Sequence, residues 1–263
     1  MYLISTKDGL YEYTETLRKV GYEFNIYDAL KFEDDYIVCS PQEGVVYGKE
    51  KIIDKACWRL MLIDRQLYAS LAGPIIYDII DRKVVLDLTK KAKEMGWSFD
   101  YTLPHINDIV YFKGSLVAVI EEGNLLKGES LEGLKPTDFK ADMHNVFTND
   151  KFMLIATADG VYYTEDLNNF TLTLGGYAHG FAGLNGSIVA QIMRGEPLYL
   201  TRDGKEWSNM GIRLPKPVFG QTAIAGNGSE LMYSTTSVYK LRDNGVELVV
   251  DKIPLTRRIS FFG

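Results

Sequence analysis

The chain has 263 residues, of which 46% are hydrophobic and 12% aromatic, and it contains 24 glycines. This composition is typical of many short strands separated by turns and excludes a helical bundle. The net charge of −6 repels a phosphate backbone, which makes nucleic acid an unlikely partner on electrostatic grounds.

The two cysteines and the start of the chain bear on its compartment. Cys39 and Cys57 are too few for a disulfide framework and lack the spacing of a metal motif, which suits a reducing compartment. The chain begins with a strand-like pattern, without a basic region, and no apolar run in it is long enough to span a membrane. The sequence therefore predicts a cytoplasmic protein with no membrane partner.

One unit recurs along the chain: an apolar strand, a turn with glycine, a second strand and a second turn. Its clearest copy occupies residues 152–170. The second turn, which begins at Thr164, recurs at Gly128 and at Thr201, at spacings of 36 and 37 residues. Seven copies can be traced, and a repeat of about 38 residues provides four short strands.

Seven four-stranded units predict an all-β fold, a seven-bladed β-propeller of antiparallel blades that occupies residues 1–263 as a single domain. Residues 257–263 resemble the innermost strand of a blade and residues 1–7 resemble the next strand, so both ends of the chain are expected to close one blade. A short helix is expected between blades at residues 88–96, because this helical segment ends at a glycine. The innermost strands are expected to begin near Asp28, Arg59, Asn107, His144, His179, Gln221 and Arg257.

Two hairpins in the second half of the chain carry a shared motif. Residues 201–207 read Thr-Arg-Asp-Gly-Lys-Glu-Trp, and residues 164–170 are a degenerate copy. The motif resembles a shortened Asp-box (BNR) repeat, Ser-x-Asp-x-Gly-x-Thr-Trp, of the β-propellers that bear this name. Its carboxylate can accept hydrogen bonds from turn amides, and its aromatic ring can pack between blades. The resemblance implies structural roles for Thr164, Asp166, Phe170, Thr201, Asp203 and Trp207.

The same resemblance does not imply an enzymatic activity. Sialidases belong to this superfamily, but their early Phe-Arg-Ile-Pro motif is missing here, and other relatives are non-enzymatic. The chain also lacks the motifs of a nucleophile elbow and of a glycine-rich phosphate loop. The closest match in style is therefore to non-enzymatic propellers.

The three histidines, His105, His144 and His179, all lie at or just before the start of a predicted innermost strand. In a propeller these starts share one face around the central channel, where ligands and metals often bind. The imidazoles could hold a metal there with a carboxylate as base or fourth ligand, or they could simply face channel water. The carboxylates expected on this face are Glu121, Glu122, Asp159 and Glu196.

Arginines complete this channel-mouth face. They could clamp a carboxylate or an acidic segment of a partner, or form structural ion pairs on a solvated rim. Trp58 and Trp97 are expected to border the same face. The predicted binding residues are Asp28, Arg59, His105, Asn107, His144, His179, Gln221, Arg257 and Arg258.

Two functional hypotheses follow. The first is a non-enzymatic propeller that binds another protein on the channel-mouth face, as an interaction or assembly scaffold, without catalytic residues or a cofactor. The alternative is a hydrolase or lyase built on His105, His144 and His179, with or without a metal. The sequence favours the non-enzymatic hypothesis and leaves the partner and the oligomeric state open.

Overall fold

The computed structural model describes residues 1–99, 102–242 and 245–262. In these residues 28 strands form seven four-stranded antiparallel sheets, accompanied by one short helix. The innermost strands of neighbouring sheets contact one another in a closed ring. The chain is a seven-bladed β-propeller, as the sequence predicts.

The blades follow the chain, and their strands succeed one another from the channel to the rim. Blade 1 contains β1 (Tyr2–Thr6), β2 (Gly9–Tyr13) and β3 (Leu17–Lys19). Blade 2 contains β4 (Asp28–Phe32), β5 (Asp35–Ser40), β6 (Gly44–Tyr47) and β7 (Glu50–Ile53). Blade 3 contains β8 (Cys57–Ile63), β9 (Gln66–Leu71), β10 (Ile75–Asp78) and β11 (Lys83–Asp87), and α1 (Thr89–Glu94) follows it.

The second half of the chain continues the series. Blade 4 contains β12 (Ile106–Phe112), β13 (Ser115–Ile120), β14 (Gly123–Gly128) and β15 (Lys135–Ala141). Blade 5 contains β16 (Met143–Thr148), β17 (Met153–Thr157), β18 (Gly160–Thr164) and β19 (Thr171–Gly175). Blade 6 contains β20 (Ala178–Leu184), β21 (Ser187–Ile192), β22 (Leu198–Thr201) and β23 (Ser208–Asn209). Blade 7 contains β24 (Ile224–Gly226), β25 (Leu231–Ser234), β26 (Val238–Arg242) and β27 (Gly245–Val250), and β28 (Thr256–Phe261) is the innermost strand of blade 1.

Blade 1 closes the ring with strands from both ends of the chain. β28 pairs antiparallel with β1, so that Ile259 lies opposite Ile4. The backbone N–H of Phe262 also donates a hydrogen bond to the carbonyl oxygen of Met1, at 2.8 Å. The predicted closure is confirmed.

The burial of side chains decreases from the inner strands to the rim. This explains why the inner strands have continuous apolar runs and the outer strands do not. All six residues of β21 are buried, whereas every residue of β19 is exposed or half-buried. Strands that pack against other blades on both faces favour continuous apolar runs. In the described residues, seven clusters of buried apolar side chains fill the spaces between neighbouring blades.

The Asp159-Gly160 turn shows how a blade makes its hairpin. Gly160 has φ +148°, and a Cβ there would lie 1.9 Å from the carbonyl oxygen of Leu174. The hydroxyl oxygen of Thr157 accepts hydrogen bonds from the N–H groups of Asp159 and Gly160, at 3.2 and 3.1 Å. Only glycine fits this close approach of two chain segments.

The predicted starts of the innermost strands agree with the structure to within two residues, except in blade 7. There β24 begins at Ile224, three residues after the predicted Gln221. The predicted helix is also present, as α1. This helix does not have the length or apolar character needed to cross a bilayer, and it is the only helix in the described residues.

The cysteines correct one interpretation of the sequence. Cys39 in β5 and Cys57 in β8 form a disulfide between blades 2 and 3, with Cα atoms 5.1 Å apart. Two neighbouring blades bring together cysteines that lie 18 residues apart in the chain. The sequence predicts a reducing compartment because two cysteines are too few for a disulfide framework. The disulfide contradicts this reasoning, so the predicted cytoplasmic location loses this support.

Candidate functional site

A cavity of about 580 Å³ opens at the channel mouth, on the face where the innermost strands begin. This volume lies within the range of about 300–1,000 Å³ that is common for small-molecule sites. We call the cavity the cup. It is lined by Tyr27, Trp58, Arg59, Phe99, His105, Asn107, Glu121, Asp142, Ala158, Tyr177, His179, Phe219, Gly220 and Arg257.

The repeat places most of these residues at equivalent positions. Each of four lining residues is the second residue of its innermost strand: Trp58, Asn107, His179 and Arg257. Tyr27 and Tyr177 directly precede β4 and β20. Because every innermost strand begins on the same face, side chains from distant parts of the chain meet at the cup.

One wall of the cup is a group of aromatic rings from blades 2 to 4. Trp58 stacks on the imidazole of His105, with ring centroids 4.7 Å apart and an interplanar angle of 15°. Tyr27 packs edge-on against Trp58 at 4.9 Å. Phe99 meets the edge of His105 at 6.1 Å. These contacts fix the rings, so this wall is formed before any ligand enters.

A second aromatic group comes from blades 5 and 6 and from the connection before blade 7. His144 stacks on His179 at 4.6 Å and lies 4.6 Å from the ring of Tyr177. Phe219 packs edge-on against Tyr177 at 4.9 Å, and 69% of Phe219 is exposed. The rim of the cup on this side is therefore an exposed aromatic ring.

The two arginines of the cup differ in their surroundings. Arg59 is buried at the floor, where it donates a hydrogen bond from Nη2 to the hydroxyl oxygen of Thr222 at 3.3 Å, and burial lowers its pKa to about 10. The guanidinium of Arg257 lies 4.9 Å over the ring of Tyr27, and its Nε donates to Asn25 Oδ1 at 3.2 Å. Among the described residues, no carboxylate forms an ion pair with Arg257. Arg257 is therefore the cation of the cup that can accept an anionic group.

His105 and Glu121 form a buried pair at the floor, with Nε2 and Oε2 3.0 Å apart. Burial, reinforced by the nearby Arg59, lowers the pKa of His105 to about 3. Burial raises the pKa of Glu121 to about 7. At neutral pH the imidazole is thus neutral, and the carboxyl group is poised to gain or lose a proton.

His144 lies directly behind the lining and is fully buried. Its Nδ1 is 2.7 Å from the carbonyl oxygen of Ala178, so Nδ1 carries a hydrogen and donates it. Its Nε2 is 3.2 Å from Oδ1 of Asp142. Within the described residues neither of these two atoms has a partner with hydrogen-bond geometry. Glu121, Asp142 and His144 each offer a ligand atom within 4.8 Å of the other two.

The structure divides the predicted binding residues among four places, one of which is the buried position of His144 behind the lining. Five of them line the cup: Arg59, His105, Asn107, His179 and Arg257. Asp28 and Arg258 line a cavity of about 440 Å³ at the other end of the channel, where Arg258 Nε is 3.2 Å from Asp28 Oδ1. Gln221 is buried and donates from Nε2 to the carbonyl oxygens of Ser234 and Thr256, at 3.3 and 2.9 Å, so it holds backbone. Trp58 lines the cup, whereas Trp97 is a core residue whose Nε1 donates to Asn124.

Of the three histidines, only His144 belongs to the group of close ligand atoms, so a metal site built on His105, His144 and His179 together gains no support from the structure. His144 and His179 meet face to face, and Nδ1 of His179 lies 3.1 Å from the hydroxyl oxygen of Thr222. His105 is paired with Glu121 instead. Of the carboxylates expected nearby, Glu122, Asp159 and Glu196 are not among the lining residues. Position in the repeat predicts the strand start but not the direction of the ring.

Several lining residues were missed by sequence reasoning. Tyr27 and Tyr177 share a position directly before an innermost strand, and Asp142 precedes His144 by two residues, so an alignment of the repeats contained a signal for them. Phe99 and Phe219 come from longer connections between blades, where the repeat predicts nothing.

The two motif hairpins lie on the opposite face, because the turn between the third and fourth strands of a blade points away from the strand starts. Asp166 Oδ1 accepts hydrogen bonds from the N–H groups of Asn168 and Asn169, both at 2.9 Å. Asp203 Oδ1 accepts them from Lys205 and Glu206, at 2.9 and 3.0 Å. The hydroxyls of Thr164 and Thr201 accept further turn amides.

The aromatic residues of these hairpins contact neighbouring strands. Trp207 is half-buried, packs in the cluster between blades 5 and 6, and donates from Nε1 to the hydroxyl oxygen of Thr173 in blade 5, at 3.1 Å. Phe170 stacks on Phe139 of blade 4 at 4.0 Å. Both rings thus join two blades. Membership of the Asp-box family stays a prediction.

Comparison with known proteins supports the fold. No family model and no curated protein matches the sequence. A candidate 6-phosphogluconolactonase from Bacteroides uniformis is 12% identical, with a TM-score of 0.64 and 98% of both chains covered. Virginiamycin B lyase from Staphylococcus aureus is 12% identical, with a TM-score of 0.59 and coverage of 97% of this chain and 88% of the lyase. BamB from Moraxella catarrhalis is 9% identical, with a TM-score of 0.58 and coverage of 96% and 84%.

The chain shares the β-propeller fold with all three. At identities of 9% to 12%, structural similarity does not imply a shared activity, because one fold hosts many unrelated functions. Two other matched structures come from a longer protein, of which this chain spans 36%. The evidence on function therefore comes from the residues that line the cup.

Proposed function

We propose that this propeller is a binding protein whose cup holds a small organic anion with a flat body. The observation that carries the proposal is the combination, in one cavity of about 580 Å³, of pre-packed aromatic walls and an arginine without a carboxylate partner in the described residues. Ligand sites are typically apolar cavities with a few convergent polar groups.

Arg257 is the residue that would bind the anionic group of the ligand. Its guanidinium is held in place by the ring of Tyr27 and by Asn25, at 4.9 and 3.2 Å. A planar guanidinium in a fixed orientation binds carboxylates, sulfonates and phosphates through two parallel hydrogen bonds. The Arg59 guanidinium at the floor is already surrounded by protein and does not need a ligand charge.

The aromatic walls of the cup favour a ligand with a flat body. Trp58, Phe99 and Tyr177 all reach the cup, and their rings are packed against other aromatic groups. An aromatic or conjugated ligand gains contact area and stacking on such rings without ordering flexible side chains. The floor adds the neutral His105 and the carboxyl group of Glu121 as hydrogen-bonding partners.

A protein partner is the second candidate, and a separate observation favours it. Val218 and Phe219 at the rim are 44% and 69% exposed. Exposed aromatic residues near an arginine are common anchors of protein interfaces. The protein-binding scaffold and the hydrolase or lyase alternative both remain predictions.

The dye anilinonaphthalene sulfonate tests the first proposal, because it combines flat rings with one anionic group. We expect saturable fluorescence with one dye per chain. Trp58→Ala and Arg257→Ala should each weaken its binding by about 10-fold or more, since each removes a contact made in the cup. Lys49→Ala, an exposed lysine on the outer part of blade 2, is the matched control and should bind the dye like the wild type.

Competition between the dye and small indole compounds then tests whether the ligand must carry a negative charge. Indole acetate should displace the dye better than indole ethanol, which has the same ring but no charge. Equal dye binding by the wild type, Trp58→Ala and Arg257→Ala would contradict the proposal. If no dye binds, and Phe219→Ser abolishes capture of a specific protein from native lysate, the second candidate replaces the first.

A further inference from the structure

We propose that Glu121, Asp142 and His144 bind a divalent first-row metal ion at the inner edge of the cup. Glu121 follows β13 in blade 4, Asp142 directly precedes β16, and His144 is the second residue of β16. Their ligand atoms lie within 4.8 Å of one another. This metal site is independent of the small anion proposed above.

The tautomer of His144 leaves a lone pair facing Asp142. Its Nδ1–H is committed to the carbonyl oxygen of Ala178, at 2.7 Å. In a neutral imidazole the lone pair then lies on Nε2, which is 3.2 Å from Oδ1 of Asp142. Two acceptor atoms thus face each other, each of them shielded from solvent, and a cation between them would satisfy both.

The distance between these two atoms matches that between two ligands of one metal ion. Two ligand atoms at about 2.1 Å from one metal ion are about 3.0–3.4 Å apart in octahedral to tetrahedral geometry. The observed separation of 3.2 Å lies inside this range. A proton shared between the two groups would instead require hydrogen-bond geometry, which neither atom has within the described residues.

Two of the three ligands also have the outer contacts that are typical of metal sites. Metal-binding imidazoles usually donate their other N–H to a carbonyl or carboxylate, as His144 does to Ala178. Ligating carboxylates are themselves usually held by hydrogen bonds. For Glu121 the neighbouring group is His105, whose Nε2 lies 3.0 Å from Oε2. Each of these two ligands is therefore in contact with a second residue.

The chemistry of the ligand set indicates the kind of ion. One imidazole and two carboxylates suit Mn²⁺ or Zn²⁺, whereas Ca²⁺ prefers oxygen ligands alone. Glu121 and Asp142 both line the cup, so the remaining coordination positions of the ion would face the cavity. Water or an anionic ligand could occupy them.

The test uses the full chain after dialysis against a chelator. Isothermal titration with Mn²⁺ and with Zn²⁺, and the electron paramagnetic resonance spectrum of Mn²⁺, should show one bound ion per chain. Asp142→Asn should weaken the affinity by about 100-fold, and His105→Gln by about 10-fold, because removing a ligand costs more than removing its outer contact. Asp159→Asn makes the same change of charge on the same face outside the ligand set and should bind like the wild type.

The variants are chosen so that folding does not decide the result. The side chain of Asp142 is 24% exposed, so Asp142→Asn should keep the native circular dichroism spectrum, whereas His144→Gln changes a fully buried residue. The proposal is overturned if the wild type binds neither ion, or if Asp159→Asn weakens binding as much as Asp142→Asn. A dye titration of the metal-free protein separates the two proposals, because loss of metal binding with normal dye binding leaves the proposed anion site intact.

Discussion

The two faces of the ring use aspartate in different ways. On the face opposite the cup, Asp166 accepts hydrogen bonds from two turn amides, and Asp203 does the same one blade further on. On the strand-entry face, Oδ1 of Asp142 is buried beside His144 without a hydrogen bond in the described residues. Carboxylates that are satisfied by backbone stabilise turns, whereas an unsatisfied carboxylate next to an imidazole is available to a ligand.

The two arginines of the cup differ in the same way, because one is surrounded by protein and the other is available to a ligand. Arg59 is buried at the floor and has Asp28 and Asp108 nearby, whose charges favour its ionised form. Arg257 lies over an aromatic ring at the mouth and has no carboxylate partner in the described chain. One cation belongs to the folded core of the channel, and the other is open to the cavity.

The largest expected effect separates these two arginines. Arg59→Glu should lower the free energy of unfolding by about 3–5 kcal/mol, because it removes a buried cation and places a third carboxylate near Asp28 and Asp108. Arg257→Glu should change it by no more than about 1 kcal/mol, as expected for a charge at the cavity mouth. Urea unfolding measures both.

Dye binding completes this experiment. Arg257→Glu should abolish binding of anilinonaphthalene sulfonate while the protein stays folded. From the sequence, both arginines looked like charges of one rim, and the burial of Arg59 corrects this view. Equal stability losses in the two variants would remove the distinction between a structural and a ligand-facing arginine.

The next effect tests the opposite face. Trp207→Ala should lower the free energy of unfolding by about 3 kcal/mol, near the lower end for a tryptophan, because the ring is only half-buried. It loses its packing between blades 5 and 6 and the hydrogen bond to Thr173. Dye binding should not change. Leu172→Ala, at a position that is 46% exposed, is the control for a rim residue without such packing.

A wild-type stability for Trp207→Ala would show that the ring contributes no packing energy. Weakened dye binding with unchanged stability would be equally informative, because it would couple the motif hairpin to the cup on the other face.

The fold was predictable because its signals are local and repeated. A blade can be recognised from its own residues, independently of the other blades. The signals are glycine turns, such as that at Gly160, and the spacing of Thr164 from Thr201. The cup was predictable only where its residues occupy the repeat position, as Arg257 does. The contribution of Phe219 depends on the course of an irregular connection, and the pairing of His144 with Asp142 depends on ring orientation. Neither has a periodic signature.

The smallest expected effect is a pH dependence on the face opposite the cup. Hydrogen bonds from the backbone N–H groups of Asn169 and Asn168 lower the pKa of Asp166 from 3.8 to about 2. A carboxylate with a lowered pKa stabilises the folded state above the unfolded pKa and loses this contribution as the pH falls through the folded value. Asp166→Asn should therefore melt at a slightly lower temperature than the wild type at pH 7, and the two melting curves should converge between about pH 4 and pH 2. Because Asp166 is exposed, the difference should shrink in high salt. A difference in melting temperature that stayed constant from pH 7 to pH 2 would mean that the charge of Asp166 does not support its turn, and that the side chain acts there only as a neutral acceptor.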